Sequence, residues 1–313
     1  MSVRLPEGLE EQRGLGPDWS AWLDRLPRVF ADVLGDWELT RDGDELWHGF
    51  CSLVAPVRTA DGGPAVLKVS FDGDRESEHE ALALQHWHGD GVVRLLRADP
   101  HRRALLLERL HTRDLTDVDD VEACRVVAEL YPRLHRPALP QLRTVTSFVE
   151  EWLDALSGLS NDAPIPRRLV EQALSLGRDL VADPRSVGRI VHGDLHFENV
   201  LAAPETVEPG RGAWLVIDPK PMSGDPHFEP APMLWNRFEE YAGDARAGVR
   251  RRFHTLVDVA GLDEERARDW VVVRMILNAH WSIEDAQRAG RALDDEETGW
   301  ITRCITITKA VQD

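Results

Sequence analysis

The sequence predicts an α+β chain of two lobes, a small antiparallel-sheet lobe with one key helix over residues 1–108 and a larger, mainly helical lobe over residues 109–313. Three observations lead there. Short β-rich runs bounded by Gly, Pro and Asp cluster between about residues 36 and 109. From residue 119 onward apolar residues recur at the helical period. A polar loop, His192-Gly193-Asp194-Leu195-His196, then interrupts the helical mass and is followed by short strands.

Taken in order, residues 1 to 35 carry an amphipathic pattern with Trp19, Trp22, Leu23 and Leu26 on one side, which Pro27 should interrupt. This segment is expected to cap the small lobe. Ala65-Val66-Leu67-Lys68-Val69-Ser70-Phe71 reads as a strand, closed by Gly62-Gly63-Pro64 and Asp72-Gly73-Asp74. Glu76 to Trp87 has helical composition, with Glu80, Leu84 and Trp87 on one face. An acid on an apolar stripe needs a partner, because burying a lone carboxylate costs several kcal/mol. Lys68 is the natural one, although Glu76, Glu78 and Glu80 also read as a solvated acidic run. Val92 to Leu96 and Ala104 to Glu108 read as a hairpin turning at Asp99 to Arg103. Helices follow at Val121 to His135, Val145 to Ser160 and Pro166 to Ala182, where Asp183-Pro184 stops the run. Pro204 to Gly212 reads as a loose turn between strands at Val200-Leu201 and Trp214 to Ile217, and helices resume after Pro232.

The loop carries the chemistry. Asp194 and Asn199, with four residues between them, match the D-x-x-x-x-N part of a kinase catalytic loop, and the run Trp214 to Ile217 delivers Asp218 at the end of a strand. Phosphoryl transfer needs a carboxylate beside the acceptor hydroxyl and oxygen ligands for a divalent cation. Asp194 would be the base, and Asn199 and Asp218 the metal ligands. Lys68 and Glu80 then supply the phosphate-binding pair such a site requires. Glu108 to Leu110 falls where the chain would cross between lobes and offer backbone groups to a nucleobase edge, or serve as an ordinary connector. Taken singly, His-Gly-Asp is a turn and Asn199 its cap. A second chemical reading takes His192, Asp194 and His196 as an H-x-D-x-H zinc site, which leaves Asn199 and Asp218 without a role.

Together these residues carry a resemblance. The segments Val66-Leu67-Lys68-Val69, His79 to Leu84, Val93 to Leu96, Ala104 to Leu110, His192 to His196, Asn199-Val200-Leu201 and above all Ile217-Asp218-Pro219-Lys220-Pro221 with Gly224-Asp225-Pro226 are similar to the aminoglycoside and hydroxyurea phosphotransferases, most closely the streptomycin 6-kinase branch. The resemblance implies a protein-kinase-like fold, ATP (with GTP open) and magnesium (Mg2+) as cofactors, and a small hydroxylated acceptor, most readily a cationic aminoglycoside. Candidate acceptor contacts are Asp225, Glu229, Trp281, Glu284 and Asp285, acids and an aromatic suited to ammonium or guanidinium groups. No G-x-G-x-x-G occurs in residues 36 to 64, so the phosphate-covering loop is sought around Trp47 to Ser52, where Gly49 stands alone. Hydroxyurea, an endogenous metabolite, or nucleotide binding without catalysis are the alternatives.

Composition excludes other classes. A net charge of −18 argues against nucleic acid, which needs an excess of Lys and Arg. Cys51, Cys124 and Cys304 are scattered and odd in number, as in a reduced cytoplasmic protein. The charged, Pro/Gly-containing stretch from Met1 to Gly16 has no signal-peptide pattern, and Arg274 breaks the apolar run at Val271 to Val273, so no membrane span is expected. A chain of 313 residues can bury a core without disulfides, and a monomer is expected.

Overall fold

The computed structural model describes Arg4–Tyr241 and Gly243–Gln312, so Met1 to Val3 of the N-terminal stretch lie outside the described residues. The chain forms two compact units: the segment ending at Arg113 together with Leu201–Lys220, and Asp114–Val200 together with the segment from Pro221 onward. A boundary at 108/109 therefore stops short, and it misses the return of Leu201–Lys220 to the first unit.

Helix α1 (Glu7–Glu10) leads through a 3-10 turn into α2 (Pro17–Asp36). Pro27 was expected to break α2, yet the helix runs through it. An interior proline costs about 3 kcal/mol. The same helix buries Trp22, Leu23, Leu26, Phe30 and Val33, each contributing roughly 1.5–3 kcal/mol, so burial outweighs the lost bond. The partner is an antiparallel sheet of β1 (Thr40–Arg41), β2 (Trp47–Gly49), β3 (Ser52–Arg58), β4 (Pro64–Ser70), β5 (Leu95–Asp99) and β6 (Ala104–Glu108), in the order β1-β3-β4-β6-β5 with β2 also on β3. Strand alternation divides β4 cleanly: Ala65, Leu67 and Val69 join Leu53, Ala55, Val57 and Leu106 in the core under α2, which leaves Lys68 on the other face. Lys68 sits opposite Val54 on one side and Leu105 on the other.

Helix α3 spans Glu80–Trp87 and starts later than the expected Glu76. Asp74 explains the delay: its carboxylate accepts from Glu76 N–H (3.0 Å) and Ser77 Oγ–H (2.5 Å), holding residues 74–77 in a turn. The second strand of the expected hairpin is β6 as read, but its partner is β5, beginning at Leu95, while Val92 bridges Val216 in parallel.

In the second unit α4 (Asp120–Leu134), α5 (Val145–Ser157) and α6 (Arg167–Ala182) precede β7 (Arg189–Val191). Asp119 and Thr144 cap the first two through their side-chain oxygens, and α5 ends three residues before the expected Ser160. Strands β8 (Val200–Ala202) and β9 (Trp214–Val216), which pair with each other, belong with the segment that returns to the first unit, whereas β10 (Met222–Gly224) pairs with β7 in the second. The chain finishes with α7 (Ala231–Trp235), α8 (Ala245–Ala260), α9 (Glu264–Arg288) and α10 (Asp295–Ala310). The long α9 packs on α6 and α10, and α4 packs on α8. No helix among the described residues is long and apolar enough to cross a membrane.

Candidate active site

In the first unit the strand-centre lysine and the helix-face acid meet as their spacing suggests. Lys68 Nζ donates to Glu80 Oε1 at 2.8 Å and Oε2 at 2.7 Å, and a third bond reaches Asp218 Oδ1. Lys68 and Glu80 are both buried; Asp218 keeps a third of its side chain exposed. Burial alone would lower the Lys68 pKa, but the carboxylates of Asp218 and Glu80 outweigh it and hold the ammonium charged, above its ordinary value. Asp218 follows β9 with a left-handed backbone, φ 53°, a conformation that costs a non-glycine residue free energy and turns the chain sharply at the carboxylate. Lys220 Nζ lies 3.4 and 3.5 Å from the two Asp218 oxygens.

The tight turn from β2 to β3, Phe50-Cys51, stands where the phosphate-covering loop was sought. Cys51 Sγ–H donates to Asp74 at 3.1 Å, and burial pushes the thiol up to about 12, so it stays protonated and unreactive. At the end of β6, Glu108 takes a role the sequence does not suggest. Its carboxylate accepts from Arg94 N–H (2.6 Å) and from the buried Arg211, whose guanidinium also reaches Gly89 O (2.7 Å) and Val92 O (2.8 Å). Arg211 therefore anchors the segment read as a loose turn. Leu110 has neither its amide nor its carbonyl in a backbone hydrogen bond among the described residues.

The second unit holds the loop. Strand β7 delivers His192, which is fully buried, and its Nδ1 accepts from Asp194 N–H at 3.2 Å. His192 thus shapes the turn around Gly193, φ 83°, and its ring is not presented as a metal ligand. Among the described residues no group of three or more His, Cys, Asp or Glu converges as a metal cage, which removes the zinc reading. Asn199 Nδ2 donates to Asp194 O at 2.8 Å and turns the amide oxygen Oδ1 away from the loop backbone. Asn199 in the second unit and Asp218 in the first each carry a hard oxygen donor of the type magnesium takes.

Two of the expected acceptor contacts have another setting. Glu229 is wholly buried and accepts the backbone N–H of His192, with His135 Nε2 at 3.6 Å; burial raises its pKa, but the His135 and His192 interactions win and hold it ionised. Asp225, 2% exposed, accepts from Arg266 (2.5 Å) and Trp270 Nε1 (2.8 Å) and pairs with His227. Both are internal supports, not surface acids. Arg274 of α9, which sequence reasoning noted only as a break in an apolar run, donates to Gly193 O and to Phe228 O (3.1 Å). A lone arginine on a buried helix face was the available signal, since such a charge must be partnered. The remaining three lie further along α9. Trp281 packs edge-on against Phe148 and Trp152 with its Nε1 unpartnered, while Glu284 and Asp285 pair with Arg288 at 3.2 and 3.0 Å.

The same fold occurs in solved structures of small-molecule kinases. An aminoglycoside phosphotransferase in ternary complex with ADP and hygromycin B is similar at a TM-score of 0.58 and 18% identity, over 90% of this chain and 97% of that one. A choline/ethanolamine kinase family protein from Mesorhizobium loti is similar at a TM-score of 0.63 and 14% identity, over 91% of this chain and 95% of that one. The chain thus has a protein-kinase-like fold. Its sequence is 41% identical to the streptomycin 6-kinase of Streptomyces griseus, over 92% of this chain and 93% of that one, and 39% identical to the hydroxyurea phosphotransferase of Kitasatospora aureofaciens, over 92% and 82%. The chain belongs to the aminoglycoside/hydroxyurea antibiotic resistance kinase family, whose profile matches residues 36–286.

Proposed function

We propose that this kinase, acting as a cytoplasmic monomer, transfers the terminal phosphoryl group of ATP to a hydroxyl of streptomycin or a closely related cationic aminoglycoside, and so confers resistance to it. The observation that carries the reading is the likeness to streptomycin 6-kinases, 41% and 39% identical over 92% of this chain. Lys68, Glu80, Asp194, Asn199 and Asp218 are all present alongside it.

Each residue has a task. Lys68, steadied by Glu80, donates to the α and β phosphates. Asp194 orients the acceptor hydroxyl and accepts its proton as the oxygen attacks in line. The phosphoryl group passes directly, with no phosphoenzyme. Asn199 and Asp218 hold magnesium, which when bound neutralises charge on the phosphate oxygens. Backbone groups of Glu108 to Leu110 take the adenine edge. On α9, Trp281 with Phe148 and Trp152 offers an aromatic wall, and Glu284 and Asp285 offer carboxylates to ammonium or guanidinium groups.

A second reading, phosphorylation of hydroxyurea, is favoured by the Kitasatospora aureofaciens relative, 39% identical over 298 residues. One experiment separates them. ADP release is followed with ATP or GTP, Mg2+, and streptomycin, other aminocyclitols, hydroxyurea or choline as acceptor, with Asp194→Ala as control and mass spectrometry of the product. Phosphorylated streptomycin is expected, absent in the control. Stimulation by hydroxyurea alone transfers the assignment to the second reading, and no stimulation by any aminocyclitol overturns the first.

A further inference from the structure

Lys68 can free only one donor for phosphate, the one it gives to Asp218. An ammonium has three N–H bonds, and in this structure two go to Glu80 and one to Asp218. Glu80 also neutralises its charge. A nucleotide triphosphate brings several negative charges, and the usual second source of donors, a glycine-rich loop of backbone amides, is reduced here to Gly49 beside the turn Phe50-Cys51. The site as built from Lys68 alone is short of positive charge.

Lys220 stands in the same unit, two residues beyond Asp218. Its side chain is only 15% exposed, and its contacts are 3.4 and 3.5 Å to the Asp218 oxygens, long against the roughly 2.7–2.9 Å of a charge-assisted bond. Pro219 before it and Pro221 after it restrict the backbone on both sides, so the ammonium is presented from a stiff tripeptide. A structural ion pair has no need of an ammonium kept at the edge of bonding distance with donors underused. A binding cation does.

We propose that Lys220 is a second phosphate-binding lysine, donating directly to the β and γ phosphate oxygens of the nucleotide and supplying the charge that the absent glycine-rich loop does not. The inference rests on the kinase reading but on no particular acceptor. Its signature is a dependence on phosphate number. Binding of ATP, ADP, AMP and adenosine is measured by calorimetry without acceptor and with the metal chelated, on the full chain and on Lys220→Met. The variant loses about 10- to 100-fold in affinity for ATP and ADP, the range of one charge-assisted hydrogen bond, while AMP and adenosine stay within about twofold. Lys220→Arg recovers part of the loss. Should the Met variant not fold, Lys220→Gln gives the same comparison. Equal weakening of all four ligands, or none, overturns the proposal and leaves the kinase assignment standing; a wild-type protein that binds none of them even with Mg2+ restored overturns both.

Discussion

The carboxylate of Glu229 accepts the backbone N–H of His192, so the loop that carries Asp194 hangs from a buried anion 37 residues further along the chain. Arg274 holds the next residue from the other side through Gly193 O. A loop that must aim a carboxylate within tenths of an ångström is thereby fixed at two successive backbone positions.

Glu229→Ala should lower kcat by at least about tenfold with the KM for nucleotide little changed, because the loss falls on loop position. Stability should drop by about 1–3 kcal/mol, the cost of leaving the His192 N–H unsatisfied. Glu229→Gln, which keeps an acceptor, should recover much of both. Steady-state kinetics and urea unfolding check this, and a Gln variant as damaged as Ala would contradict it.

Lys68 and Glu80 should behave asymmetrically. Lys68→Met leaves Glu80 buried without its cation and should cost about 3–5 kcal/mol along with activity. Adding Glu80→Leu removes the stranded charge, so the double variant should be more stable than the single one and still inactive. Denaturant midpoints of the three proteins decide it; a double variant no more stable than Lys68→Met counts against the pairing.

Asp194→Asn preserves size and should leave the melting temperature within a few degrees while lowering kcat by about 10²–10⁴-fold, the range for a general base. Single-turnover ADP formation with a saturating acceptor measures it. Residual turnover near wild type would take Asp194 out of the chemistry.

Asp225 predicts a pH signature. Burial raises its pKa, but hydrogen bonds from His227 and Trp270 lead the effects that bring it below the ordinary aspartate value. A folded pKa below the unfolded one stabilises the protein above the unfolded value, near about 3.9, and that contribution fades as pH falls through the folded value. Asp225→Asn should therefore be less stable at neutral pH by at least about 2 kcal/mol, and the gap should narrow only below about pH 4. Urea titrations between pH 7 and pH 3 show whether it does.

How much was legible follows the range of the interactions. The Lys68–Glu80 pair could be read because each residue violates a local pattern, a charge mid-strand and an acid on an apolar face, and the two violations cancel. Asp194, Asn199 and Asp218 are marked out in the sequence by spacing, and the roles given to them remain part of the proposal. The buried setting of Glu229 and Asp225, expected as acceptor contacts, is not legible, because what they bind is a backbone amide, an arginine and an indole from distant segments, which leave no periodic mark. Arg211 is the same case, since its partners Gly89, Val92 and Glu108 lie more than a hundred residues upstream. At Pro27 a correct local penalty was outvoted by burial, and at Glu76 a single side chain, Asp74, moved a helix start by four residues.

Phe50, at the tip of the β2–β3 turn and 66% exposed, meets the edge of Trp19 at 5.7 Å, and the opposite neighbour of that indole is Phe71, stacked at 4.2 Å. An indole in that position couples the turn to the N-terminal helix: any lifting or lowering of the turn alters the polarity around Trp19, one of the eleven tryptophans of the chain.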